Sequence, residues 1–165
     1  MTTIDLYLFD ELPEEVQKKA YKIDEYEECP WTYEMGWQWW NFVESLYSKL
    51  KIRWDNYYEC YAANDYDEQM RGKRLVKCLY KELGYWMAEH NDTFYDDWIF
   101  RYALDNLGQI LKQKMTANAY MNYVRRYIDE LIREENEYYN SFEGYKERAE
   151  CNEWLYTENG QMVYV

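Results

Sequence analysis

At 165 residues, with 48% hydrophobic residues, 21 Tyr and 8 Trp but only 6 Gly and 2 Pro, the chain has enough apolar and aromatic content to bury a core, which excludes a disordered sequence. A formal net charge of −13 opposes contact with phosphate backbones and anionic lipid surfaces, so neither nucleic acid nor a membrane is expected as a direct partner. No apolar run approaches the roughly 20 residues that span a bilayer, and Met1-Thr2-Thr3-Ile4-Asp5 lacks the basic and apolar regions of a secretory leader, so the expected location is cytoplasmic.

Residues 3–9 alternate β-branched and apolar side chains and predict a short strand. Leu12-Pro13-Glu14-Glu15 then opens a helix, with proline in the first turn and carboxylates at its positive end. Leu12, Val16, Ala20 and Ile23 recur every three or four residues and mark its buried stripe. The segment ends at Pro30, which disfavours helix for the residue before it. Residues 31–50 predict a central helix contacted from more than one side. Trp40, Val43, Tyr47 and Leu50 share one face, and Trp39, Phe42 and Leu46 share the adjoining one.

Ile52, Trp54, Tyr57, Tyr58 and Tyr61 predict one or two short strands, followed by an Asn64-Asp65-Tyr66-Asp67 turn. Three helical stretches follow. The stripe over 68–90 is Leu75, Leu79, Leu83 and Trp86 or Met87; over 94–113 it is Tyr95, Trp98, Tyr102, Leu107 and Ile110. Over 116–140 it is Tyr120, Val124, Tyr127, Leu131 and Tyr138. Asp92 or Thr93 is the expected N-cap of the second stretch. A shorter helix over 142–151 precedes a C-terminal hairpin signalled by Asn159-Gly160 between two alternating runs. The expected fold is therefore α+β: a mainly helical single domain of four to six helices. Its small antiparallel sheet is expected from the N-terminal strand, a middle strand or hairpin and the C-terminal hairpin.

Catalytic signatures are missing from this pattern. Cys29, Cys60, Cys78 and Cys151 form no CxxC pair and read as reduced, core-type thiols. The single histidine, His90, sits at an expected helix end, where a cation near the negative pole or a solvated side chain is the simpler reading. Ser45, Ser48 and Ser141 lie in no nucleophile-elbow context, and the glycines are too isolated to cradle phosphate. Neither zinc-type spacing nor a Glu-x-x-His pair is present, and Asp65-Tyr66-Asp67 lacks the glycine and spaced glutamate of a calcium loop. No enzyme activity, metal or cofactor is expected.

The positive feature is the mixture of acids and tyrosines. Asp24, Glu25, Tyr26, Glu27 and Glu28 form one such stretch, and Asp65, Tyr66, Asp67 and Glu68 a second. Asp96 and Asp97 follow Tyr95, and Glu134, Glu135 and Glu137 precede Tyr138 and Tyr139. Carboxylates in place of phosphates and flat phenols in place of bases are what a decoy for a nucleic-acid groove needs; a solvated acidic helix face is the plainer alternative. Charge is also uneven along the chain: residues 1–70 carry 16 acids and 6 bases, 71–133 carry 8 and 11, and 134–165 carry 8 and 2. The central cations include Arg71, Lys73, Arg74, Lys77 and Lys81 on one stretch and Arg125, Arg126 and Arg133 on another. Such a face suits an acidic partner, a second copy of the chain, or internal pairing.

Phe9-Asp10-Glu11-Leu12-Pro13-Glu14-Glu15-Val16-Gln17-Lys18-Lys19-Ala20 and Asn152-Glu153-Trp154-Leu155-Tyr156-Thr157-Glu158-Asn159-Gly160 resemble the opening helix and closing hairpin of a family of small acidic phage and prophage proteins of Gram-positive bacteria. Where those proteins often carry a Gly/Ser-rich stretch, this chain has Tyr61-Ala62-Ala63-Asn64-Asp65-Tyr66. The resemblance carries over no catalytic residue. It implies a counter-defence role in the host cell, as in anti-CRISPR proteins that occupy nucleic-acid-binding surfaces. The expected partner is then a basic host protein, such as a CRISPR nuclease or another nucleic-acid-binding defence factor. The alternative is an oligomeric or antitoxin-like interaction module, a homodimer included, in which Trp37, Trp39, Trp40 and Phe42 are partly interface.

Overall fold

The computed structural model describes residues 5–23, 25–50, 54–55, 62–63, 70–90 and 94–164. It is mostly helical with a small three-stranded antiparallel sheet, the α+β architecture expected. The described chain divides into two compact units, one within Met1–Thr32 and Arg133–Val165, the other within Tyr33–Ile132.

The first unit begins with β1 (Tyr7–Leu8), a 3-10 turn over Phe9–Glu11 and α1 (Glu14–Ile23). It resumes with the C-terminal turns of α6 (Ala117–Tyr139), then α7 (Phe142–Cys151) and the hairpin strands here labelled β4 (Leu155–Tyr156) and β5 (Met162–Val163). The sheet order is β1-β4-β5, with Tyr7 opposite Tyr156 and Leu155 opposite Val163. The two chain ends therefore build one sheet. Phe9, Leu12, Ala20, Tyr145, Ala149 and Tyr156 form its core. Phe9 meets the edge of Tyr145 at 5.5 Å, and the buried hydroxyls of Tyr145 and Tyr156 share a hydrogen bond of 3.0 Å. The Gln17 amide donates to the carbonyls of Phe9 and Leu12, locking the turn onto α1. Gly160 adopts φ +82°, and a Cβ there would lie 3.0 Å from Val16, so the Asn-Gly turn closes against α1. The α1 stripe is shorter than expected. Leu12 and Ala20 are buried and Val16 half-buried, but Ile23, where the helix leaves the core, is 64% exposed.

The second unit contains α2 (Trp37–Leu50), strands β2 (Trp54–Asp55) and β3 (Ala62–Ala63), α3 (Gly72–Glu89), α4 (Phe94–Asp105), α5 (Gly108–Lys112) and the first turns of α6. Trp39, Phe42, Val43, Leu46 and Tyr47 of α2 pack with Leu75, Leu79 and Leu83 of α3, bearing out the wide stripe and the leucine ladder. Trp37, by contrast, is 58% exposed. β2 and β3 pair only with each other among the described residues, so the middle hairpin does not join the three-stranded sheet. The expected strand residues Ile52, Tyr57, Tyr58 and Tyr61 and the Asn64-Asp67 turn lie outside the described residues, as do Asp92, Thr93 and Cys60.

The stretch expected as one helix over 94–113 is two helices. Asn106 turns its side chain back onto the Tyr102 carbonyl at 2.8 Å, and Gly108 follows, so α4 stops and α5 restarts. Its register also differs: Asp96, Ile99, Phe100 and Ala103 face the core, while Trp98 is 49% exposed. Tyr102 stacks on Tyr127 at 3.9 Å, and burial, ahead of its bond to Tyr123, pushes its phenol up to about 12. Tyr120 gives its hydroxyl to the Ala103 carbonyl, and desolvation raises its pKa as well. Among the described residues no helix is long and apolar enough to cross a membrane.

Candidate interaction site

The first unit carries most of the charge. Its sequence holds 17 acids against 6 bases, a net of −11, while the second unit holds 15 against 13. Acidic residues scattered along the chain are thus concentrated in the smaller, sheet-containing unit.

Two of the expected acidic stretches come together there. Residues 25–29, in no helix or strand, lie along the C-terminal turns of α6, held by two asparagines one helical turn apart. The Glu27 N–H donates to Asn140 Oδ1 at 3.0 Å, and Asn140 Nδ2 returns a bond to the Glu27 carbonyl at 2.8 Å. Asn136 Oδ1 accepts the Cys29 N–H at 2.7 Å, and the Tyr21 hydroxyl donates to the Asn140 carbonyl at 2.6 Å. Side-chain amides therefore satisfy a backbone segment that belongs to no helix or sheet. Glu25, Tyr26, Glu27 and Glu28 stay exposed, with Tyr26 69% accessible. On the α6 side Glu134 and Glu137 are exposed and Glu135 half-buried. Glu137 pairs with Arg133 one turn earlier, whereas Glu25, Glu27, Glu28 and Glu134 enter no ion pair among the described residues.

Asn140→Ala is expected to cost about 1–2 kcal/mol, the worth of its lost side-chain bonds. Amide exchange at Glu27 and Cys29 should speed up while exchange at Tyr156 in the sheet core does not. Unchanged exchange at Glu27 would mean that the asparagine does not hold the loop.

The other expected site residues lie elsewhere. Asp24 and the stretch Asp65, Tyr66, Asp67 and Glu68 fall outside the described residues. Asp96 is only 4% exposed, because the helical period puts it on the same face as Ile99, Phe100 and Ala103. Asp97 is half-buried and bonds Arg101 at 2.7 Å. That pair is in the second unit and presents no open acidic surface.

Around the acidic loop the first unit is grooved. One groove, of about 350 Å³, is walled by Trp31, Tyr138, Tyr139, Glu135, Glu147 and Arg148. Two more, of about 460 and 300 Å³, open beside Glu27 and Trp154 and beside Tyr26 and Asn140, and Arg148 borders both. The Arg148 guanidinium lies 3.6 Å over the Tyr139 ring and donates to the Tyr139 carbonyl, capping the C-terminus of α6. Trp31 donates its indole N–H to Glu135 at 3.0 Å, and Tyr138 its hydroxyl to Glu147 at 2.7 Å. Asn140, Glu147 and Arg148 were not singled out from the sequence. The Asn136–Asn140 spacing at the end of an acidic helix is a local trace of Asn140 alone; neither Glu147 nor Arg148 has one.

His90 ends α3 and packs on Trp86 at 4.1 Å between ring centroids. Burial pushes the thiols of Cys29 and Cys78 up, away from the thiolate that nucleophilic chemistry requires. Among the described residues no group of three or more His, Cys, Asp or Glu side chains is arranged to hold a metal. No protein-family model, curated protein or solved structure matches the chain.

Proposed function

We propose that this chain is a non-enzymatic inhibitory binding protein. It sets the acidic, tyrosine-bearing surface of its first unit against the basic nucleic-acid-binding surface of a host protein, as a phage counter-defence factor would. An anti-CRISPR-like action on a nuclease is the form this takes under the family resemblance. The observation that carries the reading is the joining of residues 25–28 to residues 134–137 by Asn136 and Asn140, in the unit that holds most of the net negative charge. A contiguous negative surface steers a basic partner into encounter and repels competing anions. Exposed Tyr26, Trp31 and Tyr138 supply the flat rings that anchor such contacts.

The oligomeric alternative draws on a different observation. Lys73, Arg74, Lys77 and Lys81 are exposed on α3 beside Tyr80 and Tyr85, and none of these four cations is in an ion pair among the described residues. The core position of Trp39 and Phe42 leaves only Trp37 of the aromatic set as exposed interface. Sedimentation of the isolated chain separates the readings, since a monomer at all concentrations removes self-association.

The test of the main reading is capture from a host lysate on the immobilised protein at about 50 and 300 mM salt, with duplex DNA as competitor. A basic nucleic-acid-binding protein retained at low salt, released at high salt and displaced by DNA is the expected result. A partner that ignores both salt and DNA would overturn it.

A further inference from the structure

We propose that the groove between Trp31, Tyr138, Glu135 and Glu147 is a receptor for an arginine side chain of the basic partner. This deepens the acidic-surface reading and rests on it for the identity of the partner, though not for the binding chemistry.

The groove has aromatic walls and anionic corners. Trp31 is 44% and Tyr138 49% exposed, so each offers ring surface to an incoming group. Both carboxylates are held in place by neutral donors, Glu135 by the Trp31 indole N–H and Glu147 by the Tyr138 hydroxyl. A neutral donor orients a carboxylate without cancelling its charge, and each oxygen pair keeps further acceptor sites. Neither glutamate is in an ion pair among the described residues. The bond to Glu147 is also the first cause that holds the Tyr138 phenol above its ordinary pKa. The groove lies at the C-terminus of α6, where the helix dipole is negative.

Arginine fits this better than other occupants. A planar, weakly hydrated guanidinium stacks on Trp or Tyr and forks onto a carboxylate, whereas a lysine ammonium does neither as well. The unit itself shows the mode, since Arg148 lies flat on Tyr139 at the same helix end. Its one positive charge stands against two carboxylates in the wall, within a unit of net −11, so an anion is disfavoured.

The test follows the Trp31 indole N–H, assigned by Trp31→Phe, in nitrogen-15 NMR spectra of the full chain. Probes are acetyl-arginine methylamide, its lysine analogue, and the citrulline analogue, which has the same shape without the charge. The expected result is a saturable shift with arginine, roughly tenfold weaker with lysine and absent with citrulline. Glu135→Gln and Glu147→Gln should each weaken arginine binding roughly tenfold while the melting temperature holds, because the amide oxygen still accepts the indole or phenol bond. Glu44→Gln, exposed in the second unit, should leave it unchanged. No saturable shift, or equal response to citrulline, overturns the proposal. Saturable arginine binding without capture of a basic protein keeps the groove's chemistry and removes the partner. Salt-sensitive capture that survives both Gln substitutions removes the groove and keeps the acidic surface.

Discussion

Gly144→Ala is expected to destabilise the first unit by about 3 kcal/mol or more, the upper range of overpacking costs. A Cβ at Gly144 would fall 2.0 Å from the Tyr138 carbonyl oxygen and 2.9 Å from its carbon. Both are backbone atoms at the end of α6, so no side-chain rotation relieves the clash. The carbonyl is further held by the Ser141 N–H and hydroxyl. To admit the methyl group α7 must move away from α6. That motion breaks the Ser141 cap on Gly144, the Arg148 bond to the Tyr139 carbonyl and the Tyr138–Glu147 bond. In a unit of this size the cost corresponds to a fall of about 10 °C or more in melting temperature. Gly84→Ala is the internal control. Gly84 lies within α3 with nothing within 4 Å of its would-be Cβ, so alanine should gain about 0.5–1 kcal/mol of helix propensity. Melting curves by circular dichroism read both signs, and a Gly144→Ala chain melting within about 2 °C of the parent would refute the close crossing of α6 and α7.

The helices were legible where apolar residues repeat without interruption. The α3 ladder of Leu75, Leu79 and Leu83 and the α2 set of Trp39, Phe42, Val43, Leu46 and Tyr47 were read from spacing and are buried. Spacing is ambiguous where two apolar faces compete. Tyr95, Trp98 and Tyr102 share one such stripe, yet the period that buries Ile99 and Phe100 takes in Asp96 and turns Trp98 outward. The Asn106 break was not legible because a bond back to the residue four earlier is open to asparagine at any helical position, so residue type alone does not mark a stop. The C-terminal hairpin was legible from Asn159-Gly160. Its place in one sheet with the N-terminal strand was legible too; the order β1-β4-β5 and the register were not, since pairing across the whole chain leaves no local trace.

The site divides in the same way. Each acidic run could be read as a run, but not which runs share a surface. That is decided by Asn136 and Asn140, whose amides bind backbone groups more than a hundred residues away. An asparagine at a helix end has many uses, so its type and position do not reveal this partner. The Asp96-Asp97 pair shows the converse: acidic in sequence, one member buried, the other bonded to Arg101. Surface charge belongs to the fold and not to the run.

The largest expected functional effect follows from that distinction. A chain carrying Glu25→Gln, Glu27→Gln, Glu28→Gln and Glu134→Gln should lose roughly 100-fold in partner affinity at low salt, with a shallower dependence on ionic strength. Each exposed charge contact is worth up to about 1 kcal/mol, so four account for a loss of this size. Much of it should appear as slower association, because steering depends on the summed field. Stability should change by less than about 1 kcal/mol, since none of the four is in an ion pair among the described residues and their mutual repulsion falls. The matched control places the same change in net charge on the second unit, as Glu34→Gln, Glu44→Gln, Glu89→Gln and Asp105→Asn, all exposed. If acidity served only solubility, the two variants would bind alike. If the clustered loop and α6 end are the interface, the control should stay within about threefold of the parent. Kinetics of both variants at two salt concentrations therefore read out position separately from total charge, and equal affinities would remove the interface from the first unit.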